Sequence, residues 1–176
     1  MTPLSCEIWL MRRTELFVGY SGETAEELLS YPAKGQYDAL VAAFEKAIQE
    51  KAAREGEHTL TDEERVILAV RSLQREVTNG GYDQFFRNSS RKFTSIVVQS
   101  LVRISCKQAA KITQMAVDAL RLSSLNMKTI KTAMQEESEQ RDQRLDRCDE
   151  LFYRNPQDLN KRLYTFIKGH RTRIKF

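Results

Sequence analysis

The stretch of residues 79–90 constrains the fold more than any other part of the chain. It contains two adjacent glycines, which lack a Cβ and can take the left-handed backbone conformation that ends a helix. Three aromatic residues follow at the spacing i, i+3 and i+4, so they would share one face of a helical turn. We therefore predict a corner between two helices that is closed by its own rings: Tyr82, Phe85 and Phe86.

The same stretch also suits a binding site, because polar side chains interleaved with aromatic rings are typical of recognition loops. Both interpretations use the same residues: Glu76, Asn79, Gly80, Gly81, Tyr82, Asp83, Gln84, Phe85, Phe86 and Asn88. Asn88, Ser89 and Ser90 are good N-caps for the helix that we expect to follow. The residues themselves leave the structural and the functional interpretation open.

Apolar residues recur at helical spacing in every long segment. The clearest stripe begins at Val66 and ends at Val77, with apolar residues at i, i+4, i+7 and i+11. Capping boxes at Thr24 and Thr61, each followed three residues later by a glutamate, mark two helix starts. Since no segment shows sustained alternation, we predict an all-α, single-domain helical bundle of about seven or eight helices.

Domain organisation and helix boundaries follow from the same patterns. The apolar residues of segment 1–22 show no regular spacing, so we interpret this segment as an N-terminal arm. We predict that residues 23–176 form the helical domain. We predict that one helix runs from about Met127 across a charged segment to Tyr153. Asn155 and Pro156 then suit the N-cap and the first position of the last helix.

Charge alternates along the chain although the net charge is only +4. Residues 91–133 carry eight Lys or Arg residues against one acidic residue, and an acidic segment follows them. Such a basic block suits internal complementarity between helices, an anionic partner such as nucleic acid, or a protein partner with an acidic surface. The candidate anion-binding residues are Arg91, Lys92, Arg103, Lys107, Lys111, Arg121, Lys128 and Lys131.

Several classes of function are disfavoured by the residues present. Three widely spaced cysteines suit a reducing compartment, so we expect a cytoplasmic protein, and no apolar run is long enough to span a membrane. The two histidines lack partners at metal-ligand spacing, so we expect neither a metal nor another cofactor. Only Glu76 and Asp83 could act as acid and base, if buried together, and we predict no catalytic residues.

Residues 60–65 and 76–88 resemble the signature of the bacterial DNA-mimic protein C-terminal-domain family. The likeness extends through residues 148–153 to the helical stretch 159–167, and so covers about residues 24–176. The resemblance implies an all-helical fold. It also implies a family in which at least one dimeric member imitates DNA with surface carboxylates and sequesters a transcription factor, so a homodimer is one expectation.

The positive net charge argues against DNA mimicry, which needs a dense array of negative charge to displace a polyanion. We therefore expect a non-enzymatic helical protein that binds another protein or acts as a regulatory module. One alternative is nucleic-acid binding through residues 91–131 and the basic C-terminal segment. A second alternative is an enzyme that uses Glu76 and Asp83.

Overall fold

The computed structural model describes residues 16–155 and 157–176, and within these ranges it contains only α-helices, short 3-10 segments and loops. The eight α-helices are α1 (Ala25–Ser30), α2 (Tyr37–Glu55), α3 (Asp62–Arg87), α4 (Thr94–Arg103), α5 (Lys107–Ala119), α6 (Met127–Gln135), α7 (Glu139–Tyr153) and α8 (Leu159–Gly169). The all-α prediction is confirmed. Most of the predicted N-terminal arm lies outside the described residues.

Both predicted capping boxes form and begin α1 and α3. Thr24 N donates to Glu27 Oε2 at 2.9 Å, and Glu27 N donates back to Thr24 Oγ1. Thr61 N donates to Glu64 Oε2 at 2.9 Å, and Glu64 N donates to Thr61 Oγ1 at 3.2 Å. Each box satisfies two amides that have no partner within the helix, which is why the helices begin there.

The described residues cluster into two compact units, and the division falls within α3 after Leu68. The first unit contains the described residues up to Leu68 together with Asn160–Phe176. Its core is apolar and comes from α1, α2 and α8: Leu28, Leu40, Val41, Phe44, Ile48, Leu163 and Ile167.

Glu64 is the polar centre of the first unit. Its side chain is fully buried and accepts hydrogen bonds from Lys51 Nζ at 2.9 and 3.0 Å and from the backbone nitrogen of Lys175 at 2.8 Å. The ring of Phe176 then packs edge-on against Phe44, with 5.6 Å between the centroids. One carboxylate therefore joins α2, the start of α3 and the end of the chain.

The second unit is Ala69–Leu159. In it α4 packs against α5, α5 packs against α7, and α6 packs against the 3-10 segment Ser89–Phe93. The turn between α4 and α5 is tight, and Ser105 takes a φ of 62° there. The core of this unit comes from its five helices: Val70, Leu73, Val77, Tyr82, Phe85, Phe86, Val97, Leu101, Ile112, Ile130, Met134, Leu145 and Phe152.

The single helix predicted from Met127 to Tyr153 is wrong, because α6 ends at Gln135 and α7 begins after Ser138. Ser138 Oγ accepts a hydrogen bond from Arg141 N at 3.3 Å and so caps α7. The guanidinium of Arg141 is buried and donates to the carbonyl oxygens of Ala133 and Glu136 at the end of α6. The buried guanidinium thus binds carbonyl oxygens that backbone amides would bind in a continuous helix. The high charge of this segment had predicted that its side chains would be exposed to solvent.

The last helix also begins later than predicted, at Leu159. Asn155 Oδ1 accepts a hydrogen bond from Gln157 N at 3.2 Å, which makes a local turn before the helix. Pro156, which we expected at the first helical position, lies outside the described residues. The N-cap pattern therefore predicted a change of direction correctly but misplaced the helix start by a turn.

Candidate functional site

Helix α3 is interrupted at Gly80 and Gly81. Gly81 has φ 75° and ψ −175°, a combination that side chains with a Cβ strongly disfavour. A Cβ on Gly81 would also lie 2.8 Å from Cγ of Asp149 and nearer still to a carboxylate oxygen. Glycine is therefore needed at residue 81 both for its backbone conformation and for the space that it leaves.

Asp149 of α7 fills that space and restarts the helix. Its Oδ1 accepts a hydrogen bond from Tyr82 N at 2.8 Å, as an N-cap residue would. Burial raises the pKa of Asp149 above its ordinary value, and the nearby carboxylates of Asp146 and Asp83 raise it further against the effect of the Tyr82 hydrogen bond. The interruption in α3 is thus completed by a residue from another helix.

Tyr153 fixes the same helix at a second point. Its hydroxyl donates to the carbonyl oxygen of Val77 at 2.7 Å, just before the interruption in α3. Asp149 and Tyr153 are one turn apart on α7 and both contact the interruption. Neither was among the predicted site residues, because no sequence pattern pairs them with the glycines.

The three aromatic residues of the corner are fully buried, as predicted. Tyr82, Phe85 and Phe86 each have 0% relative exposure. The hydroxyl of Tyr82 lies 2.8 Å from Thr113 Oγ1 of α5, and its ring meets Phe152 edge-on with 5.9 Å between centroids. Burial strongly raises the pKa of Tyr82, so its phenol stays neutral.

Glu76 gathers the polar residues of the corner. It is 8% exposed, and its two oxygens accept hydrogen bonds at 2.8 Å from Gln84 Nε2, Asn88 Nδ2 and Ser90 Oγ. Burial by itself would raise the pKa of Glu76, but these three donors and the nearby Arg75 outweigh it, so the pKa lies below its ordinary value. Glu76 is therefore an ionised anchor for the residues beyond the interruption.

The predicted capping role of the polar residues after the corner is wrong. Asn88 precedes the 3-10 segment Ser89–Phe93 without a side-chain cap, and α4 begins only at Thr94. The side chains of Asn88 and Ser90 turn to Glu76 instead. Hydrogen bonds to a charged group contribute about 1.5–3 kcal/mol, whereas a typical side-chain N-cap contributes about 1 kcal/mol, so these side chains orient towards the carboxylate.

We expect Glu76→Gln to lower the free energy of unfolding at pH 7 by about 1.5–3 kcal/mol, because the three donors lose a charged acceptor. Since folding lowers the pKa of Glu76, its contribution is full above the unfolded-state pKa of about 4.3 and is lost as pH falls through the folded-state value. Urea denaturation of wild type and variant should therefore show a gap at pH 7 that shrinks at pH 3.

The matched control is Glu137→Gln, which changes an exposed glutamate. It should alter stability by less than about 0.5 kcal/mol at either pH. A gap between wild type and Glu76→Gln that is equally large at pH 7 and pH 3 would contradict the proposed ionised anchor.

Asp83, the second residue of the predicted acid–base pair, binds an arginine one turn further along its own helix. Asp83 is half-buried and binds Arg87 Nε at 2.7 and 2.9 Å, while Arg87 also donates to the carbonyl oxygen of Met134. Catalysis by Glu76 and Asp83 would need a shared pocket and a raised carboxyl pKa. The pKa of Glu76 is lowered instead, and these contacts favour the structural interpretation of the corner.

The basic candidates lie on several elements of the second unit. Arg91 is half-buried and donates to the carbonyl oxygens of Arg87 and Asn88, whereas the other seven are exposed. Some of these exposed residues form no ion pair with another described residue: Lys107, Lys111, Arg121, Lys128 and Lys131.

Some of these basic residues lie on the same helix or on elements that pack against each other. Lys107 and Lys111 are one turn apart on α5 and therefore share a face. Lys128 and Lys131 lie on α6, which packs against the 3-10 segment that carries Lys92. Arg103 ends α4, and Arg121 follows α5 with a φ of 52°.

A cleft of about 650 Å³ lies in the first unit, and sequence reasoning missed it. One wall follows α1 and includes Tyr31, Pro32 and Tyr37. The other wall is the face of α8 that carries Tyr164 and Lys168. In the sequence these residues have the pattern of ordinary helix ends and core positions. No local pattern predicts that the two walls are neighbours.

Metal sites and membrane-spanning helices are two other features that the described residues do not show. These residues contain no group of three His, Cys, Asp or Glu side chains placed to hold a metal ion. In the same part of the chain, no helix combines enough length with enough apolar character to cross a bilayer. Cys106 and Cys148 are both buried, and burial raises the pKa of Cys148.

Comparison with known families decides the relationship that the corner suggested. A family model described as DMP19-like protein matches residues 58–170. The chain belongs to the DMP19-like family. This match covers the whole second unit with its corner, and it confirms the resemblance to the DNA-mimic family. Comparisons with curated proteins and with solved structures gave no match.

The family match covers the corner but only part of the cleft. The match begins at residue 58, after α1 and α2, and therefore leaves out the wall of the cleft that contains Tyr31 and Tyr37. It includes α7, α8 and the interruption in α3. The corner thus lies within the DMP19-like region, whereas the cleft combines that region with an N-terminal segment outside it.

Proposed function

We propose that this DMP19-like chain is a non-enzymatic module that binds another protein through the outer face of α7. The buried corner would serve this role as a scaffold, because Asp149 and Tyr153 hold α7 to the interruption in α3. The observation that carries the proposal is the separation of charge on the exposed face of this helix.

The two edges of α7 carry opposite charges. Its buried face contains Leu145, Cys148 and Phe152. At helical spacing, one exposed edge is acidic and the other is basic. The acidic edge is Glu139, Asp142, Asp146 and Glu150, and the basic edge is Arg144, Arg147 and, just past the helix, Arg154.

Part of this charge is available to a partner. Asp142 is occupied by the buried Arg141 at 2.7 Å, and Arg154 approaches Glu150 at 3.9 Å. Asp146, Arg144 and Arg147 form no ion pair with another described residue. A partner with a basic strip beside an acidic strip would pair with both edges, and such complementarity sets specificity and association rate.

The same pattern disfavours imitation of DNA. A DNA-binding surface is basic, so it would meet the arginine edge of α7 with like charge. The net charge of +4 adds a general repulsion. We therefore propose that this member of the DMP19-like family binds a partner whose surface carries both positive and negative charge. A protein that binds DNA does not fit this description.

The test is capture of partners from nuclease-treated extract of the source cells, followed by mass spectrometry. Two double variants reverse one edge each: Asp146→Lys with Glu150→Lys, and Arg144→Glu with Arg147→Glu. Each should weaken the binding of one and the same captured protein by about tenfold or more, which corresponds to about 1.4 kcal/mol. The fold should be unaffected, because these side chains are exposed.

The matched control reverses two exposed cations of α5, Lys107→Glu with Lys111→Glu. It should retain the protein that wild type captures. The proposal fails if both α7 variants capture the same proteins as wild type, or if only the α5 variant loses them.

A second candidate is nucleic-acid binding through the basic residues, favoured by the exposed cations that lack ion-pair partners in the described chain. It predicts capture that nuclease abolishes and affinity for labelled DNA that falls steeply with salt. The Lys107→Glu and Lys111→Glu variant should then bind more weakly. No shift of labelled duplex or single-stranded DNA at low salt would exclude this candidate.

Compartment and oligomeric state complete the proposal. The buried thiols of Cys106 and Cys148 support a reducing, cytoplasmic location. A homodimer follows only from the resemblance and is a further expectation. Light scattering of the purified chain would give its mass directly.

A further inference from the structure

The cleft of the first unit has the chemistry of a peptide site, and we name it the tyrosine cleft after Tyr31, Tyr37 and Tyr164. We propose that it binds an extended, proline-containing peptide segment that carries a carboxylate. This inference is independent of the proposed function of α7, because the cleft lies wholly in the first unit.

The rings of the tyrosine cleft are held in place by neighbouring contacts. Tyr37 and Tyr164 have ring centroids 5.5 Å apart, and Tyr31 meets Phe17 edge-on at 5.1 Å. Rigid aromatic side chains bind with a small loss of conformational entropy, which favours recognition.

The backbone of the first wall is also braced. Gln36 Nε2 donates to the carbonyl oxygen of Pro32 at 2.7 Å, and Gln36 Oε1 accepts from Phe17 N at 2.6 Å. One glutamine side chain therefore ties the turn after α1 to the segment that precedes it. The wall does not need to be ordered by the ligand.

The phenol groups supply hydrogen-bond donors. The hydroxyls of Tyr37 and Tyr164 bond to no other described residue. Burial and the neighbouring Tyr37 raise the pKa of Tyr164, so its phenol keeps its proton. A polyproline II segment leaves its backbone carbonyls without internal partners, and its prolyl rings pack on aromatic walls, so it matches both features.

Lys168 supplies the charge preference. It is exposed, lies one turn beyond Tyr164 on α8 and forms no ion pair with another described residue. None of the described residues that line the tyrosine cleft is acidic. A carboxylate beside the prolines of the peptide would therefore pair with the one charge that the cleft presents.

The occupant of the cleft must also match the polar groups of its lining. Here Ser30, Thr165 and Lys168 stand beside the tyrosines. The mixture of flat rings, hydroxyls and a lysine suits the alternating polar backbone and apolar rings of an extended peptide.

The experiment is a screen of the 176-residue chain against a displayed library of Pro-x-x-Pro peptides with randomised flanks. We expect enrichment of peptides with Asp or Glu beside the prolines. For a selected peptide, fluorescence anisotropy should show at least about tenfold weaker binding to Tyr37→Ala and to Lys168→Glu. Exchanging the acid of that peptide for its amide should remove the effect of Lys168→Glu.

The control is Lys111→Glu on α5, which should bind the selected peptide like wild type. If Tyr37→Ala does not fold, Tyr37→Phe removes only the hydroxyl and should still weaken binding several-fold. The proposal is overturned if the screen yields no enrichment of proline with an acid. It is also overturned if Lys168→Glu and Tyr37→Phe both bind as tightly as wild type. Neither outcome bears on the binding face of α7.

Discussion

Glu64→Gln is expected to lower the free energy of unfolding by about 3–5 kcal/mol, because it leaves the charge of Lys51 buried without its partner. The carboxylate of Glu64 is fully buried and accepts from Lys51 Nζ, Thr61 N and Lys175 N. Urea denaturation at pH 7, followed by far-ultraviolet circular dichroism, would measure the loss. The free energy of unfolding of a typical domain is about 5–15 kcal/mol, so this loss would be a large fraction of the total stability.

A surface pair provides the control for this result. Lys46 and Glu50 approach to 3.9 Å with both side chains more than half exposed, so Glu50→Gln should cost less than about 0.5 kcal/mol. Removing both charges, Lys51→Met with Glu64→Gln, should recover part of the stability, since no unpaired charge remains buried and the glutamine oxygen can still accept from one of the two backbone amides, Thr61 N or Lys175 N. A Glu64→Gln variant within about 1 kcal/mol of wild type would refute the argument.

Gly81→Ala is expected to lower the free energy of unfolding by about 2–5 kcal/mol, because it adds both backbone strain and a steric clash. An alanine at φ 75° and ψ −175° carries backbone strain of about 1–3 kcal/mol. Its Cβ would also displace the carboxylate of Asp149, at a similar cost for overpacking. Because Asp149 anchors α7, the same variant should lose the partner that the wild-type chain captures.

The matched control is Gly169→Ala at the end of α8, where a Cβ would meet nothing within 4 Å. This change should lie within about 1 kcal/mol of wild type in urea denaturation. Adding Asp149→Ala should remove the steric part of the Gly81→Ala penalty, so the two changes should be clearly non-additive. Equal effects of Gly81→Ala and Gly169→Ala would contradict the close fit between Gly81 and α7.

Much of the fold could be predicted because its signals are local. The boxes at Thr24 and Thr61 each join residues three apart, and the rings of Tyr82, Phe85 and Phe86 share a face by helical geometry alone. Such features depend on spacing within one helix, which the sequence displays directly. For the same reason the all-α class and the aromatic corner were predicted correctly.

Local signals failed where a distant residue competes for the same group. Ser90 was predicted to cap a helix, but Glu76 takes its hydroxyl. The charge around Arg141 predicted a solvated helix, but the guanidinium is buried against the end of α6. In both cases a tertiary hydrogen bond of a charged group outweighs a local preference.

The sequence by itself determined the helical class, the two capping boxes and the burial of the aromatic corner, since each depends on residues within one or two turns. Only the tertiary structure decided that Asp149 lies against Gly81, that Glu64 holds the end of the chain, and that Tyr37 and Tyr164 form a cleft. These contacts join residues far apart in sequence. Their pairing depends on how helices pack, and the periodicity of a single helix carries no information about its partner.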